Sequence, residues 1–157
     1  MDRSQATILP LQAHSQELAI AARWRHEAFL REDGFSVADS EDQLTKLTTH
    51  PQGPETALIA HLDGRFAGIC LLVLHELAPA HDLSPWLASL YVDAEFRGQG
   101  VARHLVAAIE NHARRNGVAR LHLYTVDAEK FYRKCGWSVV ERFMFGGGPL
   151  VLMKRDL

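Results

Sequence analysis

Between Leu90 and Arg103 an apolar strand ends at Asp93, a short polar turn follows, and the run Arg97-Gly98-Gln99-Gly100-Val101-Ala102-Arg103 opens a long amphipathic helix. This passage constrains the fold more than any other stretch. The strand runs from Trp86 to Val92, the helix from Gly100 to about Asn116, and a second strand follows, in which Leu121 and Leu123 alternate with His122 and Tyr124. A strand, a helix of that length and a second strand make a right-handed crossover, so the two strands are expected to lie parallel in one sheet. The turn itself is built for an anion. The first N–H groups of a helix have no partner inside it, and the aligned peptide dipoles leave positive partial charge there. Gly98 and Gly100 carry no Cβ and let the backbone approach a ligand closely, and Arg97 adds a charge-assisted, bidentate donor. The plainer reading is a helix that needs a tight entry.

Glycine-rich strand-to-helix turns serve several phosphate ligands, but two of them fit poorly here. No Gly-Lys-Ser/Thr follows for a triphosphate, and the Gly-x-Gly-x-x-Gly spacing of a dinucleotide fold is missing. The pattern Arg97-x-x-Gly100-x-Ala102 resembles the pyrophosphate-binding motif of the GNAT superfamily of N-acetyltransferases. One helix and one strand later, Ala128-Glu129-Lys130-Phe131-Tyr132-Arg133-Lys134-Cys135-Gly136-Trp137 resembles the signature that closes the same family's acetyl-CoA site. In residue identity the resemblance spans about Trp86 to Trp137, and elsewhere it is one of element order.

The resemblance implies an α/β fold with a mixed, mainly antiparallel sheet of six to seven strands, helices on both faces and one central parallel strand pair. It implies acetyl-CoA as acetyl donor and an amine as acceptor. The cofactor would be held by Arg97 through Arg103, with Leu90, Tyr91 and Val92 offering main-chain donors to the thioester oxygen. Many family members bind the pantetheine arm with an asparagine where this chain has Thr125, whose hydroxyl can still donate and accept. Tyr132 matches the family's general acid: a thiol ionises near ~8.5 and a phenol near ~10, so a phenol hydrogen bond suffices to stabilise the departing thiolate. A core tyrosine is the structural alternative. The base is not marked, and His122, Glu76 and His75 are the candidates.

The rest of the chain narrows the acceptor. A formal net charge of −2 over 157 residues, without a basic run, argues against nucleic acid or a membrane surface as partner. Between Glu32 and Asp42 stand five acids (Glu32, Asp33, Asp39, Glu41, Asp42) and no base. They read either as acids favouring a helix start or as a collar for a cationic substrate, with Glu32 and Asp33 as substrate-binding residues. A small cationic amine is the expected acceptor; a protein N-terminus or lysine, and a non-catalytic acyl-CoA-binding domain, are the alternatives. His75, Glu76, His81 and Asp82 surround Pro79 without metal-ligand spacing, so no metal is expected.

The length predicts a single domain over residues 1–157, which the resemblance implies is an acetyltransferase domain. With 47% apolar and 23% charged residues it reads as globular. The two cysteines, Cys70 and Cys135, suggest no disulfide framework, and the start of the chain has no apolar signal core, so a soluble cytoplasmic protein, monomer or homodimer, is expected. In order, the patterns predict a strand over Thr7 to Ala13, a helix from Ser15 to Leu30, and a second helix opened by Asp39-Ser40-Glu41-Asp42. A hairpin follows, Glu55 to Leu62 and Arg65 to His75, about Asp63-Gly64. On the long helix Arg103, Glu110 and Arg114 are expected on the solvent face. Asp127 is expected to cap a helix over Ala128 to Cys135, stopped by Gly136. Strands over Trp137 to Met144 and Leu150 to Lys154, joined through Gly146-Gly147-Gly148-Pro149, end the chain.

Overall fold

A computed structural model describes residues 6–76 and 82–157. The chain runs β1 (Ala6–Pro10), α1 (Gln16–Arg25), a π-helical turn (His26–Leu30), α2 (Val37–Thr49), β2 (Thr56–Leu62) and β3 (Arg65–Val73). It continues as β4 (Trp86–Val92), a 3₁₀ turn (Ala94–Phe96), α3 (Val101–Arg115), β5 (Arg120–Thr125), α4 (Glu129–Lys134), β6 (Ser138–Phe145) and β7 (Gly148–Asp156). One seven-stranded sheet in the order β1-β2-β3-β4-β5-β7-β6 carries every strand, and only the central β4–β5 pair is parallel. The mixed sheet and crossover expected from the sequence are therefore present. His81 and Pro79 lie outside the described residues.

The sheet separates two apolar layers. On one face Leu105, Val106, Ile109 and Ala113 of α3 pack with Leu58, Cys70, Leu87, Val92 and Tyr132. On the other, Leu18, Ala21 and Ala22 of α1 and Leu44 and Leu47 of α2 cover Ile59, Ile69 and Leu71. Ser15 caps α1 by accepting from the Leu18 N–H at 3.1 Å. The helical pattern read to Leu30 is present, but its last turn is π-helical, with the Arg31 N–H donating to the His26 carbonyl at 2.8 Å.

Three local expectations are corrected. Helix α2 starts at Val37, earlier than the acidic tetrad, because Ser36 and Asp39 form a reciprocal capping box of 3.0 and 2.8 Å. Asp127 does not cap α4: the N-cap is Ala128, without a side-chain cap bond, and its own N–H donates to the Thr125 hydroxyl at 3.0 Å. Glu110 is 6% exposed instead of solvent-facing, because Trp137 Nε1 and Arg155 Nε both donate to it at 3.3 Å. A carboxylate on the inward side of a helix is tolerated when it is paired and hydrogen-bonded.

The feature that shapes the site is an irregularity in β4. Leu71 pairs with Ala88 and Ile69 with Tyr91, so β4 carries one residue more than β3 over this interval. The surplus is a β-bulge, and Ser89 within it has φ +53°, in the left-handed region that residues with a Cβ seldom occupy. The bulge resets the alternation of faces: Leu87, Leu90 and Val92 pack toward α3, whereas Ala88 and Tyr91 face α1. Gly68 lets β3 close on the same region, since a Cβ there would stand 2.7 Å from the Tyr91 carbonyl oxygen and 3.2 Å from Leu105. Gly68→Ala should therefore push β4 out of place and cost about 1–3 kcal/mol, read as a lower midpoint in urea with an unchanged m-value.

Candidate active site

Parallel pairing of β4 and β5 is confined to one register pair, Trp86 with His122, supported by the His122 N–H on the Pro85 carbonyl at 3.1 Å. Among the described residues no further pair joins the two strands, so past Trp86 the β5-facing edge of β4 has no ladder partner. A cavity of about 530 Å³ opens where the strands part, lined by Leu90, Tyr91 and Val92, by the turn and α3 start from Phe96 to Arg103 except Gln99, and by Ala128, Phe131 and Tyr132 of the α4 segment. Its size suits a bound small molecule.

The turn is fixed from within. Arg97 Nε donates to the Val92 carbonyl at 2.8 Å, and its guanidinium lies 5.5 Å over the Tyr91 ring. Tyr91 continues into Trp24 at 5.2 Å and Trp24 into Phe66 at 4.5 Å, which ties the strand end to α1. Gly100 is the N-cap of α3 with φ +85°, and the N–H groups of Val101, Ala102 and Arg103 follow it in the helix's unpaired first turn, facing a cavity free of acidic side chains there. This is a donor-rich wall suited to an anion.

Tyr132 closes the opposite wall. It is 7% exposed, and burial, together with the thiols of Cys70 and Cys135, pushes its phenol further above the ordinary range, so it keeps its proton at neutral pH. Helix α4 holds it there through anchors at both ends. Glu129 pairs with Arg133 and with Arg142 of β6, and Arg155 Nη1 donates to the Gly136 carbonyl at 2.9 Å while its Nε reaches Glu110. Gly136, at φ +97°, leaves the space the Arg155 guanidinium occupies.

The candidate bases fall in different places. His122 is buried at the root of the strand pair, with Nδ1 3.2 Å from the Pro85 carbonyl and its ring 5.6 Å from that of Trp86. It lines a separate hollow of about 660 Å³ with Asp82, Arg120 and Asp156, and burial lowers its pKa, leaving it neutral. Glu76, just past β3, lies near Arg25 of α1, whereas Tyr132 packs in the α3 layer. Glu76 accepts from the Tyr124 hydroxyl at 3.3 Å and shares the field of Arg25. Desolvation raises its carboxyl pKa, with Tyr124 and Arg25 opposing. His75 is exposed beside it.

The acidic run divides. Asp39 is spent in the capping box and Asp42 pairs with Lys46 at 3.2 Å. Glu32 and Asp33 are both exposed, and the Asp33 charge adds to the field that raises the Tyr124 pKa. Thus the structure brings together Leu90 to Val92, Arg97, Gly98, Gly100 to Arg103 and Tyr132, and keeps Gln99, Thr125 and His122 off the cavity wall. Sequence reasoning missed Arg25, Gln43 and Ser89, which meet beside Glu76; an arginine at an inward position of α1 was the available signal. Among the described residues no group of three or more His, Cys, Asp or Glu side chains could hold a metal, and no helix is long and apolar enough to cross a membrane.

Comparison with known proteins identifies the family. The model of the acetyltransferase (GNAT) family matches residues 19–137. An aminoglycoside N(6')-acetyltransferase type 1 of Stenotrophomonas maltophilia is 31% identical over 121 residues, covering 71% of this chain and 79% of that protein. Among solved structures, an aminoglycoside 6'-N-acetyltransferase complexed with coenzyme A superposes with a TM-score of 0.74 at 15% identity, over 96% of each chain. An N-acetyltransferase from Staphylococcus aureus Mu50 also gives 0.74, at 17% identity, over 98% of this chain and 99% of that one. The family match defines the class, an acyl-transfer enzyme. The chain belongs to the GNAT family of acetyltransferases, and acetyl-CoA is its acetyl donor.

Proposed function

We propose that this enzyme acetylates a small cationic amine, with acetyl-CoA entering on the α3 and α4 face, the amine on the α1 and α2 face, and the two meeting across the gap between β4 and β5. The observation that carries this reading is the opposition of two groups across that gap. Tyr132 lies on the cavity side and the Glu76 carboxylate, steered by the Tyr124 hydroxyl, on the other.

When bound, the donor supplies an activated thioester. The N–H groups of Val101, Ala102 and Arg103 hold its anionic part at the α3 start. Backbone donors of Leu90 to Val92, on the unpaired edge of β4, face the oxygen on which negative charge develops. Tyr132, still protonated, gives a hydrogen bond to the departing sulfur. Glu76 takes the proton of the attacking amine, and its raised pKa brings it closer to the pH at which amines lose theirs. His122 has no part in this reading, because it sits at the far root of the strands. Thr125 serves the start of α4.

Asp33 and Glu32, with Glu76, give the acceptor side its negative charge, which suits a cation. The Stenotrophomonas maltophilia relative is named for an aminoglycoside, a polycationic amine, which supports the same acceptor class.

Two experiments test the reading. Acetyl-CoA should raise the melting temperature by mass action. Gly100→Glu should abolish that rise by setting a carboxylate at the α3 start, whereas Gly100→Ala, equally strained by φ +85°, should lose stability but keep the shift. A persistent shift in folded Gly100→Glu would contradict the placement of the donor.

CoA release measured with a cationic amine against pH tests the acceptor side. A base must be deprotonated, so kcat/KM should rise through a pKa above the usual carboxylate range. Glu76→Gln should remove that limb and lower the plateau by about 10²-fold or more. Tyr124→Phe deletes a hydrogen bond that favours the charged carboxylate, so the limb should move to higher pH. A limb unmoved in both variants would exclude Glu76 as the base.

A further inference from the structure

Helix α1 buries Leu18, Ala21, Ala22 and Arg25, a stripe at the spacing with which a helix meets a sheet. Three of the four are apolar, as packing requires. The fourth is an arginine only 6% exposed. Burying a guanidinium carries a large desolvation penalty, which an aliphatic side chain in the same stripe would avoid. Packing alone therefore does not account for it.

Its partners indicate what it does. Arg25 Nε donates to the Ser89 hydroxyl at 3.0 Å, and Nη1 donates to Gln43 Oε1 at 3.3 Å. Ser89 is the residue of the β4 bulge with φ +53°, a conformation that costs energy for any residue with a Cβ and persists only when its surroundings enforce it. On the other side of the bulge the buried Cys70 thiol donates weakly to the Ala88 carbonyl at 3.7 Å. Immediately after Arg25, at His26, α1 changes to a π-helical turn, an irregularity common at functional sites.

The bulge decides what the cavity sees. Without it, regular alternation would send Leu90 toward α1 and Tyr91 into the α3 layer. With it, Leu90 packs on the cavity side and Tyr91 lies between Trp24 and Arg97. We propose that Arg25 is a positioning residue for acetyl transfer: by anchoring the Ser89 hydroxyl it holds the bulge in the form that turns the backbone around Leu90 toward the thioester. The inference rests on the assignment of that cavity to acetyl-CoA. Arg25 acts through Ser89 and does not itself touch the donor.

Four variants separate this role from plain stability and from acceptor binding. Arg25→Met keeps the buried stem and deletes the donor; Arg25→Lys keeps the charge and loses the Nε–H. Ser89→Ala removes the acceptor and keeps the strain, whereas Ser89→Gly removes both. With the pH at the plateau, Arg25→Met, Arg25→Lys and Ser89→Ala should each lower kcat by about 10- to 100-fold. The KM for the amine and the Kd for CoA should stay within about threefold of wild type. Ser89→Gly introduced into Arg25→Met should recover much of the loss, because glycine takes the left-handed conformation without an anchor. Should Arg25→Met fail to fold, Ser89→Ala and Ser89→Gly carry the same comparison.

An acceptor-free readout separates failure of the clamp from failure of the cavity assignment. The backbone amide resonances of Leu90 and Tyr91 should move on adding CoA to the wild type and move differently in Arg25→Met or, if that variant does not fold, in Ser89→Ala. If they do not respond in the wild type, the cavity assignment falls and the inference with it. If they respond identically in both proteins, or if kcat is unchanged, or if Arg25→Lys restores activity with the loss confined to the amine KM, Arg25 is not a clamp on the bulge.

Discussion

The single extra residue in β4 is the constraint on which the rest of the site depends. A strand paired regularly on both sides would present a closed surface to α3. The bulge at Ser89 and the parting of β4 from β5 after Trp86 instead leave a strand edge facing a cavity. Unpaired backbone edges are a liability in most proteins, and they persist where a ligand is to complete them. Here the cost is met from the α1 face, where Arg25, Gln43 and the Trp24–Phe66 stack hold β4 in a conformation that its own residues would not choose.

The opposite wall depends on a different interaction. Tyr132 is carried by a six-residue helix too short to be stable alone. It is held because β7 sends Arg155 back to the Gly136 carbonyl and to the buried Glu110 of α3, which also receives Trp137. Helix α3 thus provides the anion-binding wall with its first turn and braces the tyrosine wall with its third. One helix sets the width of the cavity between them. In the proposed function this width is what lets the phosphate-binding end and the thiolate-stabilising end of one extended donor be served together.

Much of this architecture was legible in the sequence because it is written in local patterns. The Asp63-Gly64 hairpin, the Gly98 and Gly100 entry to α3, the Gly136 stop and the crossover from β4 to β5 each follow from turn chemistry and periodicity, and each is present. What was not legible depends on contacts distant in sequence. Glu110 looked solvent-facing because its partners, Trp137 and Arg155, lie 27 and 45 residues away. Asp127 looked like the cap of α4, but it is the strand end, through the Thr125 hydroxyl, and not the loop that presents an oxygen to Ala128. The Ser89 bulge leaves no mark in a run that reads Trp-Leu-Ala-Ser-Leu-Tyr-Val, and the serine's partner lies 64 residues earlier. The acidic run looked like one feature because composition cannot tell a capping aspartate from one that faces a site. Asp39 and Asp42 are accounted for locally, whereas the exposed Asp33 adds to the field at Tyr124.

In the proposed reaction the two walls act on one thioester, the unpaired edge of β4 on its oxygen and Tyr132 on its sulfur. Tyr132→Phe keeps the ring, its packing against Phe131 and Trp137 and the shape of the cavity, and deletes only the hydroxyl. The decisive measurement is single-turnover transfer from acetyl-CoA beside the Kd for the same ligand. A group that assists departure of the thiolate acts only as charge develops on sulfur, so the rate should fall by about 10²- to 10⁴-fold while the Kd changes by less than about threefold. A folded Tyr132→Phe enzyme that transfers acetyl within about threefold of the wild-type rate would contradict it and leave Tyr132 as a packing residue of α4.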